Sequence, residues 1–119
     1  MSLRVFHDAH ALTIETYRQT RDFPRDEWFG LRSQIRRAAV SVASNVVEGS
    51  ARESTTDYVR FLQISFGSCR ELQYLVSLTD ELRLAPGADW IALAAQCDRV
   101  LGQLHQLMDR VGRLSSHVP

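Results

Sequence analysis

The run Trp90–Val111, WIALAAQCDRVLGQLHQLMDRV, places Trp90, Leu93, Ala94, Cys97, Val100, Leu101, Leu104, Leu107, Met108 and Val111 three or four residues apart. At about 100° per residue, that spacing gathers the apolar side chains on one side of an α-helix. Sustained over three heptads, it favours packing against other helices at a shallow crossing angle. The spacing predicts a helix over 89–113, capped by Asp89 after the turn Ala85-Pro86-Gly87-Ala88.

Working back along the chain, three more helices are expected. One spans 55–84, capped by Ser54 with Asp57 three residues on. It carries two apolar stripes. The first is Tyr58, Phe61, Leu62, Ser65, Cys69, Leu72 and Val76; the second is Ile64, Ser68, Leu75, Leu78 and Leu82. Together they cover more than half the wheel, so this helix is expected to bury a second face. Another helix is expected over 24–51, opened by Pro24 and closed near Gly49-Ser50, with Leu31, Ile35, Ala38, Ala39, Val42 and Val46 inward. The first is expected over 8–20, capped by Asp8, with Ala9, Leu12, Thr13, Thr16 and Tyr17 inward. Short turns bring each helix back against its neighbour, so the prediction is an all-α, antiparallel up-down-up-down four-helix bundle forming one domain over 1–119. The tail Leu114–Pro119 is expected to fray.

Composition narrows the function classes. The 119 residues carry 14 basic and 14 acidic side chains, a formal net charge of zero, unlike a generic polyanion binder. Every basic residue is Arg, which suits carboxylate and phosphate and equally reflects GC-rich coding. Cys69 and Cys97 fall on apolar faces and read as small buried hydrophobes. No stretch approaches the ~18 apolar residues of a membrane span, and Met1–Leu12 is broken by Arg4, His7, Asp8 and His10. The expected compartment is the cytoplasm. No phosphate loop, nucleophile motif or metal-ligand spacing is present, and His7 and His10 lack a third ligand. No enzyme activity, cofactor or metal is expected.

Two constellations stand out on the second helix. Gln34, Ser41, Asn45, Glu48 and Arg52 form a polar stripe beside the apolar one, and Glu71 sits within the apolar sector of the third helix. The set reads as a buried polar seam between the two helices; a phosphate or small-ligand site and a carboxylate pair for acid–base chemistry are the alternatives. Arg25, Arg32 and Arg36 share another face with Arg37 nearby, and the stretch Trp28–Val47 contains no acid. Such a patch could hold a nucleic-acid backbone, or be a solvated face paired with neighbouring acids.

The runs Phe23-Pro24, Gln34–Val42 and Asn45-Val46-Val47-Glu48-Gly49, followed by Phe61–Ser68 and Glu71-Leu72, resemble the four-helix-bundle proteins encoded in intervening sequences of bacterial 23S ribosomal RNA genes. The likeness spans roughly residues 5–112. It implies a homopentamer, similar to the accessory protein of diversity-generating retroelements, which binds nucleic acid and a reverse transcriptase. The family's motif positions fall here on Arg36, Arg37, Ser41, Asn45, Glu48, Gly49, Arg52 and Glu71. The expected partners are further copies of the chain, RNA or DNA, and a protein such as a reverse transcriptase. The expected function is a non-enzymatic oligomeric scaffold associated with nucleic acid. The alternative is a protein-interaction scaffold whose seam is purely structural.

Overall fold

The computed structural model describes residues 3–116. Four α-helices carry the fold: α1 (Leu3–Gln19), α2 (Ser33–Ser50), α3 (Thr55–Leu82) and α4 (Trp90–Ser116). A 3₁₀ turn at Arg25–Glu27 and a π-type turn at Trp28–Arg32 lead into α2. No strand occurs among the described residues.

The bundle is a rod of 55 × 23 × 20 Å. Helix α2 packs against α1 and α3, and α4 packs against α3 and α1. On α2 the contacts advance from Ser41 to Gly49 while those on α3 retreat from Ser68 to Tyr58. On α1 and α4, Asp8 meets Gln103 and Gln19 meets Asp89, again in opposite order. The core is fully buried at Leu12, Ile35, Val42, Val46, Leu62, Leu72, Leu93 and Leu104. Each contributes about 1.5–3 kcal/mol relative to exposure. Four hydroxyls share that core, and each donates to a backbone carbonyl: Thr16 to Leu12, Thr20 to Thr16, Thr79 to Leu75, and Ser65 across to Val42 at 2.7 Å. A buried hydroxyl so satisfied escapes the desolvation penalty.

Several expected boundaries move. Helix α1 begins at Leu3 instead of Asp8, because Val5 adds a buried turn (1 % exposed). Asp8 is therefore mid-helix, and its carboxylate accepts Gln103 Nε2 at 2.6 Å, fastening α1 to α4. Tyr17, expected inward, is 42 % exposed, since Thr16 and Thr20 fill the inner face. The helix expected from Pro24 is broken at Gly30 (φ −103°, ψ −108°), and the Glu27 carboxylate accepts Leu31 N–H at 3.3 Å as a fresh cap. Helix α2 thus spans Ser33–Ser50. Gly49 does not cap it. A Cβ there would lie 2.9 Å from Phe61 Cβ, so glycine lets α3 approach. Helix α3 ends at Leu82, two residues early, where Arg83 turns left-handed (φ 54°) and donates to Asp80 O.

The caps at Ser54 and Asp89 form as the sequence predicts, accepting Asp57 N–H at 3.1 Å and Ala92 N–H at 3.0 Å. Both cysteines are buried free thiols. The expected fray at Leu114 is helical to Ser116; His117–Pro119 lie outside the described residues.

Candidate functional site

The turns before α2 build a cluster around two consecutive aromatics. Trp28 is half-buried, and its indole N–H donates to Phe23 O at 3.0 Å. Phe23 is itself buried edge-on against Trp90, ring centres 6.2 Å apart. The indole is thereby pinned to the core while one part of it stays in reach of solvent. Arg25 and Arg32, three residues before and four after, bring their guanidinium carbons to 5.3 and 4.5 Å from its ring centre. Cation–π contacts at exposed sites are worth about 0.5–1 kcal/mol each, and they bias the two arginines toward the ring without consuming their donors. Phe29, next in the chain, is 94 % exposed.

Arg36 behaves differently from its neighbours. Its Nε donates to Thr20 Oγ1 at 2.9 Å, a terminal amine donates to Tyr17 O at 3.2 Å, and the guanidinium lies 4.4 Å from the Tyr17 ring centre. Burial, and then the nearby Arg32 charge, lower its pKa; Tyr17 acts in the opposite sense. Arg36 is therefore a clamp between α1 and α2. Arg37 is exposed. Among the described residues none of Arg25, Arg32, Arg36 and Arg37 forms an ion pair; the pairs present are Arg18–Glu15, Arg52–Glu48, Arg60–Asp57 and Arg113–Asp109.

The polar stripe divides in three. Ser41 Oγ meets Ser68 Oγ at 2.7 Å, and Asn45 Nδ2 donates to Ser41 O and Oγ at 2.8 and 3.0 Å. The Ser41–Ser68 contact joins α2 to α3, and Asn45 holds the Ser41 hydroxyl from within α2. Glu48 and Arg52 form an exposed pair at 2.9 Å, with Arg52 also 4.5 Å from the Phe61 ring centre. Gln34 and Glu71 are exposed and make no hydrogen bond or ion pair among the described residues. The expected burial of Glu71 is thus corrected for the single chain: Ser68, one turn earlier, faces Ser41, and Glu71 falls just outside the helix–helix contact. Its α3 neighbours seven residues away are Ile64, 43 % exposed, and the half-buried Leu78; Leu82 is 56 % exposed. The second apolar stripe of α3 is therefore only partly covered by its own bundle.

The arrangement offers cation and aromatic surface. Among the described residues no three His, Cys, Asp or Glu side chains gather to hold a metal, and no helix is long and apolar enough to cross a membrane. His10 instead stacks on Phe6, ring centres 6.0 Å apart. The sequence puts Arg25, Arg32 and Arg36 on one face of a single long helix. The break at Gly30 instead leaves Arg25 in the turn before α2 and Arg36 bonded to Thr20 and Tyr17. Neither the exposure of Phe29 nor the anchoring of Trp28 was expected. The signal for both was the aromatic pair Trp28-Phe29 lying between Arg25 and Arg32.

The fold is shared with a crystallised protein of unknown function from the S23 ribosomal protein family of Bacteroides thetaiotaomicron. The two superpose with a TM-score of 0.80 at 15% identity, covering 88% of this chain and 95% of that one. No curated protein matches the chain. The family model for 23S rRNA-intervening sequence proteins matches residues 1–106. With a four-helix fold of this kind and a match over most of its length, the chain belongs to the 23S rRNA-intervening sequence protein family.

Proposed function

We propose that this protein is a non-enzymatic, homo-oligomeric scaffold that holds a nucleic-acid backbone. The observation that carries the reading is the set of guanidinium groups at Arg25, Arg32 and Arg37, which no carboxylate neutralises among the described residues. With zero net charge over the chain, Arg25 and Arg32 gather positive charge at one place, over the Trp28 ring. Phosphate is the matching ligand, because Arg donors fork onto its oxygens and release its counterions. The opposed order of helix contacts supports an antiparallel up-down-up-down bundle. The uncovered stripe of α3, Ile64, Leu78 and Leu82 beside Glu71, is the surface that joins copies; a pentamer is the form the resemblance favours, repeating the Arg cluster around a ring. The cytoplasm is the compartment this reading needs.

Binding of a fluorescent RNA strand over a salt series tests the proposal. Wild type should lose affinity steeply as salt rises, and Arg25→Glu with Arg32→Glu should abolish binding while circular dichroism stays helical. Retention of binding by the double variant would refute it. Light scattering tests the assembly: a monomer at micromolar concentration refutes the homo-oligomer. Exposed Tyr74 (65 %) and Ile91 (86 %) favour a second reading, a protein-docking scaffold; a protein that copurifies in place of nucleic acid would decide for it.

A further inference from the structure

We infer that Phe29 is a stacking platform for an unpaired base, so that the partner is single-stranded nucleic acid and not a duplex. The inference rests on the phosphate reading above and adds the half of the ligand that reading leaves out. Leaving a whole phenyl ring in water forfeits about 1.5–3 kcal/mol of burial, and Phe29 is 94 % exposed. Its neighbour Trp28 shows that this stretch can turn an aromatic inward and anchor it, here on Phe23 O. Phe29 instead turns outward at the break beside Gly30.

The surroundings select the occupant. From residue 25 to residue 37 the chain carries four Arg against Asp26 and Glu27, and the Glu27 carboxylate is engaged in capping Leu31 N–H. Arg25 and Arg32 lie over the Trp28 ring and form no ion pair among the described residues. An exposed π-face next in the chain to the Trp28–arginine cluster meets two demands of one ligand: a flat apolar ring and a phosphate. A single strand presents both to the same surface, whereas a duplex keeps its base faces stacked inside. An apolar pocket on a protein would use the phenyl ring but leave the cations unanswered.

The test compares a short fluorescein-labelled oligo(U) with a labelled RNA duplex, by anisotropy at low salt, for the full chain and its variants. Wild type should prefer the single strand. Phe29→Ala should weaken it about 5- to 150-fold, the range of one lost base stack, and leave duplex affinity unchanged. Phe29→Trp should restore binding; Phe29→Leu, apolar without a π-face, should not. Phe29→Ala binding like wild type, or Phe29→Leu restoring affinity, overturns the inference. So does a change in particle mass by light scattering, which would place Phe29 between copies. If Phe29 variants bind normally while the Arg25/Arg32 reversal abolishes binding, stacking alone fails and the phosphate reading stands. If the reversal is silent while Phe29→Ala weakens binding, the phosphate site fails and stacking stands. If wild type binds neither probe, both fall.

Discussion

Replacing Gly49 by alanine sets two opposing terms against each other at a single carbon. In a helix interior the exchange is favourable by about 1 kcal/mol. Here the added Cβ would stand 2.9 Å from Phe61 Cβ, 3.0 Å from Tyr58 Cδ1 and 3.3 Å from the Tyr58 carbonyl oxygen. Carbon pairs settle at about 3.5–4.0 Å. Because Phe61 Cβ is fixed to its backbone, no rotamer change relieves the contact, and α2 and α3 must part by roughly 0.6–1 Å at this level. Such overpacking costs typically about 1–3 kcal/mol. We expect a net loss of about 1 kcal/mol after the propensity gain, which lowers the urea midpoint by about 0.3–1 M. Unfolding followed by circular dichroism at one fixed protein concentration reads this directly. Gly102→Ala is the control, since a Cβ there meets nothing within 4 Å; it should gain up to about 1 kcal/mol. If Gly49→Ala stabilises the chain as much as Gly102→Ala does, the close approach at Gly49 does not set the α2–α3 spacing.

Two further outcomes follow from groups described above. Arg36→Gln should cost about 1–2 kcal/mol through its lost bonds to Thr20 and Tyr17 O, whereas exposed Arg25→Gln should stay within about 0.5 kcal/mol; equal melting temperatures would show that Arg36 is no clamp. The Cys69 thiol donates to Cys97 O at 3.6 Å, and hydrogen bonding with the Cys97 side chain, then burial, push its pKa upward. The folded thiol therefore stays protonated where the unfolded one ionises, so stability is full below about pH 8.5 and falls by about 1.4 kcal/mol per pH unit above it; urea titrations through this range should lose that slope in Cys69→Ala.

The apolar spacing of α4 and the first stripe of α3 were legible because helical period depends on sequence alone, and so were the caps at Ser54 and Asp89. Other features depend on where a neighbour stops. A wheel gives Glu71 an angle but not the edge of α2, and that edge falls at Ser68. Pro24, Asp26 and Glu27 suit the start of one long helix equally well, so the break at Gly30 left no mark in periodicity. Arg36 and Arg32 share a face, yet only Arg36 is bonded to Tyr17 of α1 and to Thr20 just past its end. That distinction comes from packing between two helices, which a single wheel does not contain.

The break at Gly30 also acts as a phase setter. In an unbroken helix each residue advances about 100° around the axis, so the direction of every side chain before the break, measured from Ile35, is fixed by what the backbone does at one glycine. Removing that residue and letting the helix close would swing Arg25 and Trp28 together by about a quarter of a turn. Arg25 and Trp28 lie before the break and Arg32 after it, so the swing would carry the indole away from the Arg32 guanidinium that now sits 4.5 Å from its ring centre. A one-residue insertion or deletion at this point can thus take the cation–aromatic cluster apart while leaving the core from Ile35 onward untouched.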